Sequence, residues 1–170
     1  IEPFASLFTQ GMVCHETYKN EKNQWLYPEE VEKKSDGLFQ IKGKGEKVIN
    51  GPSEAMSKSK KNTIDPENMI NLFGADAVRF FMLSDSPPEK DIQWSNEGIS
   101  ASYKFLQKIW NLIDRVFNKK DNGEINKKHD EELDKFINKI IHNATKNLED
   151  FNYNVVIANI YETYNFLSQF

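Results

Sequence analysis

From Ile99 onward the apolar positions of the chain recur at intervals of four and three: Ile99, Tyr103, Leu106, Trp110, Ile113 and Phe117. That spacing puts all six on one side of a helix beginning after Ser95, a residue type that caps the open amides of a first turn. Two further series, Leu133, Phe136, Ile140, Ile141 and Leu148, then Val156, Ile160, Phe166 and Leu167, predict two more amphipathic helices beyond the polar stretch NKKDNGEINKKHD at 118–130. Residues 95–170 therefore predict an incomplete helical bundle with Trp110 in its core.

Upstream the period changes. Between Cys14 and Ser53 the short segments QWLYP, LFQI and KVIN are separated by Asn, Asp-Gly and Lys-Gly, the texture of a small β-rich insertion pinned by Trp25. Its low apolar content predicts an appendage. Ahead of it, residues 1–13 predict a Pro-started helical turn and, after Gly11, a strand entering a sheet. After it, Asp65-Pro66 marks a helix start that runs through Met69, Ile70 and Phe73 and halts at Gly74. A second helix, ADAVRFFMLSD, follows and stops before Pro87-Pro88, which have no amide hydrogens to continue it, and KDIQW then reads as a short extended stretch. The fold class implied is α+β, predominantly α.

Length and charge narrow the classes of function. A chain of 170 residues, 38% hydrophobic, can bury one good core or two modest ones. A net charge of −4 argues against coating nucleic acid by bulk electrostatics, so any RNA contact rests on local basic patches. Cys14 is the only cysteine, which excludes an internal disulfide and a multi-cysteine zinc site, and a reducing, cytoplasmic compartment is expected. His15, His129 and His142 are dispersed without ligand spacing, so no metal is assigned. No apolar run approaches the roughly 20 residues that span a bilayer, and no membrane partner is expected. The first residue is Ile, and Phe170 falls inside an apolar-periodic helix, so the chain is expected to be a segment of a longer one.

The candidate chemistry lies in SEAMSKSKKNTIDP, residues 53–66, which gathers Lys58, Lys60 and Lys61 among small hydroxyl residues. One kind of phosphate loop uses backbone amides and needs the glycines of G-x-x-x-x-G-K-S, which are absent. The other uses mobile lysines as point charges with hydroxyls as extra donors, and MSKSKKN fits that kind. By composition alone such a cluster is most often a solvated surface.

Its surroundings change that reading. MSKSKKNTIDP followed by GADAVRFFML resembles the signature loop and following helices of class I aminoacyl-tRNA synthetases, whose loop is usually written K-M-S-K-S. EPFASLFTQGMV ahead of the loop, the insertion before it, and SDSPPEKDIQWSNEGISASYKFLQKIWNLI after it are similar to leucyl-tRNA synthetases of the bacterial or mitochondrial type. The resemblance implies that residues 1–13 and 54–94 belong to the C-terminal end of a Rossmann-type nucleotide-binding catalytic domain. Residues 14–53 would be its leucine-specific insertion, and 95–170 the start of an anticodon-binding-type helical bundle. It also implies ATP-dependent activation of leucine to leucyl-adenylate and transfer to tRNA(Leu), with Mg²⁺ accompanying ATP and the parent protein a monomer. Lys58 falls on the second lysine of the loop, which neutralises the pyrophosphate as the leucine carboxylate attacks the α-phosphorus. Ser57 and Ser59 fall on its hydroxyls, and Met56 on the residue that packs the loop down. Ala55 stands where the first lysine is usual; Lys60 and Lys61 are the nearby substitutes. Trp94, at the end of KDIQW, lies where the family braces tRNA, and Lys104 and Lys108, with Arg115, lie along one side of the long helix.

No H-I-G-H-type segment, leucine pocket or editing domain lies in these residues, so the resemblance implies that the chain alone does not aminoacylate. Two rivals stay open at this point. One is a segment of the isoleucine, valine or methionine enzymes, against which the insertion and PPEKDIQW argue. The other is a non-catalytic tRNA-binding or helical interaction module.

Overall fold

A computed structural model of the chain describes residues 3–118 and 127–169. The polar stretch at 118–130 falls largely outside those residues, as do Glu2, Phe170 and the side chain of His129. Contacts divide the chain into two compact units, Ile1–Leu72 with Glu89–Asn96 and Phe73–Pro88 with Glu97–Phe170. The fold is mixed helix and sheet with helix predominant.

The first unit is built on a six-stranded sheet of β1 (Val13–Asn20), β2 (Trp25–Leu26), β3 (Val31–Lys33), β4 (Phe39–Ile41), β5 (Lys47–Ala55) and β6 (Ile92–Gln93). The order is β2-β1-β5-β4-β3, antiparallel throughout, with β6 added parallel to the first residues of β1. Positions 13/14 and 53/54, where the sequence changes texture, lie inside two continuous strands: β1 and β5 pair from Asn20↔Val48 to Cys14↔Ala55. One irregularity interrupts them. Two residues, Gly51 and Pro52, stand opposite Thr17, a bulge that accommodates a proline inside a central strand. Thr17 is buried and its hydroxyl donates to Pro52 O at 3.1 Å; a Cβ on Gly51 would sit 2.5 Å from that hydroxyl, so the position requires glycine.

Tyr18, Leu26, Val31 and Val48 form the core of this sheet, with Phe39 and Ile41 packed against it. Burial raises the Tyr18 hydroxyl pKa, as does its hydrogen bond to the Glu16 carboxylate. Trp25 is not part of that core: it is half-buried at the sheet edge under the Lys19 ammonium, 4.1 Å from the ring centroid, because β2 is a two-residue edge strand whose other residue, Leu26, points inward. The helical turn expected near Pro3 does not form. Residues 3–12 are irregular, and Phe4, Leu7 and Met12 are exposed. An isolated turn has no packing to offset its nucleation cost, and the chain is instead tied laterally: Ile92 N donates to Met12 O at 2.9 Å and Met12 N to Asp91 Oδ1 at 2.8 Å.

The second unit contains α2 (Ala75–Ser84), α3 (Asn96–Asn118), α4 (Lys127–Glu149) and α5 (Tyr153–Leu167); the shorter α1 (Pro66–Phe73) precedes it. Phe80 of α2, Phe105 of α3 and Ile157 of α5 are its buried centre, flanked by Leu106, Ile109 and Tyr164. Phe105 stacks on Tyr161 at 3.9 Å between centroids and meets Phe80 at 5.6 Å. The face of α3 differs from the one expected. Ile99, Ser102, Phe105 and Leu112 are buried, while Trp110 is 74% and Phe117 84% exposed. Apolar residues occupy a wide arc of this helix, so two series at intervals of three and four coexist, and the rings of α2 and α5 select the one through Phe105. Ser102 is compatible with that side because its hydroxyl donates to Gly98 O one turn back, at 3.0 Å. The same offset recurs on α5, where Ile157 rather than Ile160 is buried; on α4 Ile140 is buried as expected, while Ile141 and Leu148 of the same series are exposed. Phe136 and Phe166, both expected to face inward, stack at 3.9 Å. Among the described residues no helix is long and apolar enough to cross a membrane.

Candidate functional site

The lysine loop is the direct continuation of β5. Ala55 pairs with Cys14, and Met56 N donates to Val13 O at 2.9 Å, so the sheet fixes the chain up to the first loop residue. Ser57 is still extended, with φ −146° and ψ 135°, and residues Lys58–Lys60 then make one 3₁₀ turn. That turn is held by two backbone bonds, Lys60 N to Ser57 O at 3.2 Å and Lys61 N to Lys58 O at 3.3 Å. Lys61 adopts a left-handed conformation, φ 53°, and reverses the chain. Asn62 is thereby turned underneath the loop, with 0% of its surface exposed.

The Asn62 side chain connects three segments. Its Oδ1 accepts from Ser57 N at 2.8 Å, and its Nδ2 donates to His15 O on β1 at 3.2 Å and to Glu54 O on β5 at 3.1 Å, with Ala55 O at 3.5 Å. Sequence reasoning passed over this residue. The available signal was that a short amide side chain beside a turn bonds nearby backbone; which backbone is settled only by the β1–β5 pairing. Beyond it, Asp65 caps α1 as expected: Glu67 N donates to Asp65 Oδ1 at 3.0 Å and Met69 N to Asp65 O at 3.3 Å.

The loop's charged side chains divide into two kinds. Lys60 forms an ion pair with Glu54, and the Lys61 ammonium lies 5.1 Å from the Tyr27 ring centroid. Both residues that could substitute for a lysine at position 55 are thus engaged with other side chains of the first unit. Lys58 is exposed, and among the described residues it makes no ion pair or ring contact. Beside it the Ser57 and Ser59 hydroxyls lie 2.7 Å apart; only one proton can lie between them, so the pair retains a donor for another acceptor. Met56 is half-buried and Ala55 exposed. Cys14, opposite Ala55, is buried, and its thiol pKa is raised first by burial and then by the Asp91 charge, against a hydrogen bond from Gln93. A thiol held protonated in this way is a packing group rather than a nucleophile.

The remaining candidates lie apart from the loop in the chain. Trp94 is half-buried in the first unit; its indole donates to Asn96 Oδ1 at 3.0 Å and its amide to Cys14 O at 2.9 Å. Lys104, Lys108 and Arg115 are exposed on α3 in the second unit. Among the described residues no group of three or more His, Cys, Asp or Glu is placed to hold a metal ion.

Comparison with known proteins bears on the same residues. The family model of class I tRNA synthetases (I, L, M and V) matches residues 47–95, from the start of β5 to the residue before α3. The leucine–tRNA ligase of Neorickettsia sennetsu is 48% identical over 168 residues, which is 99% of this chain and 19% of that protein. The leucine–tRNA ligase of Rickettsia bellii is 48% identical over 167 residues, 98% of this chain and 20% of that protein. Among solved structures, the LeuRS of an Agrobacterium radiobacter LeuRS–tRNA–LeuAMS ternary complex matches with a TM-score of 0.60 at 27% identity, over 68% of this chain and 16% of that one. The chain spans about a fifth of the length of the curated relatives it matches.

Proposed function

We propose that this chain, homologous over nearly its whole length to one segment of the leucine–tRNA ligases, carries the lysine loop of a leucine-activating site. In that role the Lys58 ammonium neutralises the pyrophosphate of ATP as the leucine carboxylate attacks the α-phosphorus. The observation that carries the reading is the division of the loop's charges: Lys60 and Lys61 face Glu54 and Tyr27, and the exposed Lys58 ammonium is left for a ligand. A lysine about 4 Å from a phosphate oxygen contributes on the order of 4 kcal/mol at a surface-like dielectric. Realised only as charge develops on the leaving group, that amounts to roughly a thousandfold in rate. The donor retained by the Ser57–Ser59 pair serves the same oxygens. Ala55 leaves the loop one charge short, and Lys60 and Lys61 make up the deficit only by leaving their partners.

The wider assignment belongs to the same proposal. Residues 1–13 and 54–94 form the end of a Rossmann-type catalytic domain, 14–53 its insertion, and 95–170 the start of an anticodon-binding-type bundle. The full enzyme takes leucine, ATP with Mg²⁺, and tRNA(Leu) in the cytoplasm, with Trp94, Lys104 and Lys108 on the tRNA side. The match of the family model through residue 95 and the tRNA-bound structural neighbour support this reading.

The test is made in the full-length protein. Lys58→Ala should lower leucine-dependent pyrophosphate exchange about 100- to 1000-fold, with the KM for leucine within about twofold of wild type. Exchange at the wild-type rate removes Lys58 from the mechanism.

A further inference from the structure

We infer that Asn62 is a positioning residue for adenylate formation: its buried amide holds the Ser57 backbone against β1 and β5, and so sets where the Lys58 ammonium meets the nucleotide. The inference rests on the phosphate role proposed for Lys58.

Three observations converge on it. Asn62 is fully buried and both ends of its amide are satisfied, by Ser57 N on one side and by His15 O and Glu54 O on the other. Every partner is backbone, on the strands β1 and β5 and at Ser57 near the start of the loop, so the side chain acts as a cross-piece between the sheet and the loop. The loop's other ties do not hold the Ser57 amide: two backbone bonds at 3.2 and 3.3 Å close residues 57–61, the Ser57–Ser59 contact is internal to the loop, and the Lys60–Glu54 and Lys61–Tyr27 contacts run through long side chains beyond Lys58. Lys58 follows directly on Ser57, so a shift of the Ser57 amide reaches the Lys58 Cα through only the two backbone dihedrals of Ser57. Misplacing a catalytic group by about 1 Å can cost about a hundredfold. Removal of the amide leaves the Ser57 N–H in a buried place without its acceptor and takes a second donor from the His15 and Glu54 carbonyls, which are paired across β1 and β5, and the loop start must move to recover the lost bond.

Alanine and serine at position 62 test this in the full-length enzyme, the serine variant keeping a small polar group in the same site should the alanine variant fail to fold. Active sites are titrated first, so that loss of folded protein is separated from loss of turnover. Asn62→Ala is expected to lower kcat for leucine-dependent pyrophosphate exchange about 10- to 100-fold per active site, with the leucine KM within about twofold and Asn62→Ser intermediate. In a Lys58→Ala background the same substitution should cost less than about threefold, because a misplaced group that is already absent has nothing more to lose. Wild-type turnover per active site in both Asn62 variants, or the full penalty persisting without Lys58, overturns the inference and leaves the role of Lys58 standing. Lys58→Ala at wild-type rate overturns that role instead, and this inference with it.

Discussion

The two units of this chain are held together by different kinds of force. In the first, the determining contacts are polar and directional: a bulge closed by Thr17, a strand start tied to Asp91, and a loop fixed by Asn62. Its buried polar side chains, Thr17 and Asn62, have partners. In the second, the determining contacts are rings, with Phe80, Phe105, Tyr161 and Tyr164 packed edge-on or face-on, and the buried oxygens Asn154 Oδ1 and Asn159 Oδ1 have no partner. Hydrogen bonds weaken steeply with angle and fix positions to a few tenths of an ångström, whereas apolar packing is non-directional and accepts several arrangements of similar volume. An electrostatic role of the kind proposed for Lys58 needs the first kind of support. A bundle needs only enough of the second.

The contrast is sharpest where one side chain carries a core. Phe105→Ala should destabilise the second unit by about 3–5 kcal/mol, since the ring contacts both Phe80 and Tyr161 and the cavity cannot close around it. Hydrogen exchange followed by mass spectrometry on the full-length protein should show faster exchange in α2, α3 and α5 with β1 and β5 unchanged. Equal acceleration in the strands would mean that the two kinds of support are not separable. The corresponding weak point of the first unit is Gly11, where an added Cβ would lie 2.2 Å from Lys90 C and O. Backbone at that distance cannot yield as a side chain does, so Gly11→Ala should cost about 1–3 kcal/mol and expose the amides of Ile92 and Trp94 to exchange. Unchanged protection at those two amides would show the close approach to be dispensable.

Legibility followed the same division. Periodicity placed α1 to α5 correctly as elements, and the capping chemistry of Asp65-Pro66 fixed the start of α1 before any tertiary contact was known. Which side of α3 faces inward was not readable, because Tyr103, Trp110 and Phe117 make as good an apolar series as Phe105, Ile109 and Leu112; the choice is made by rings far away in sequence. In the sheet, LFQI and KVIN were readable as strands, but the unbroken passage of β1 and β5 across positions 13/14 and 53/54 was not, since pairing between residues up to 41 positions apart leaves no local trace. The lysine loop was legible as chemistry and only partly as geometry. Nothing in MSKSKKN distinguishes the paired Lys60 from the exposed Lys58, and the distinction comes from Glu54 lying within reach on β5.

The end of α4 gives the smallest effect and the finest test of the comparison. The chain leaves this helix through two bonds, Asn152 N to Asn147 O at 2.8 Å and Phe151 N to Leu148 O at 3.2 Å, with Phe151 in the left-handed region at φ 59°. This is the six-to-one and five-to-two pattern in which glycine normally stands at the left-handed position. A phenyl-bearing residue there carries a backbone penalty of about 1–2 kcal/mol. Phe151→Gly relieves that penalty but adds about 0.5–1 kcal/mol of unfolded-chain entropy and gives up the contact of a 45%-exposed ring with Tyr153. The terms nearly cancel, so exchange protection around the α4–α5 turn should stay within about 1 kcal/mol of wild type. Phe151→Val removes the ring and places a β-branched side chain at the same φ, so it should lose clearly more than the glycine variant. If glycine proved the more damaging of the two, the ring would be supporting the turn in the way Phe105 supports the core, and directional control of the backbone would not be what closes this end of the helical unit.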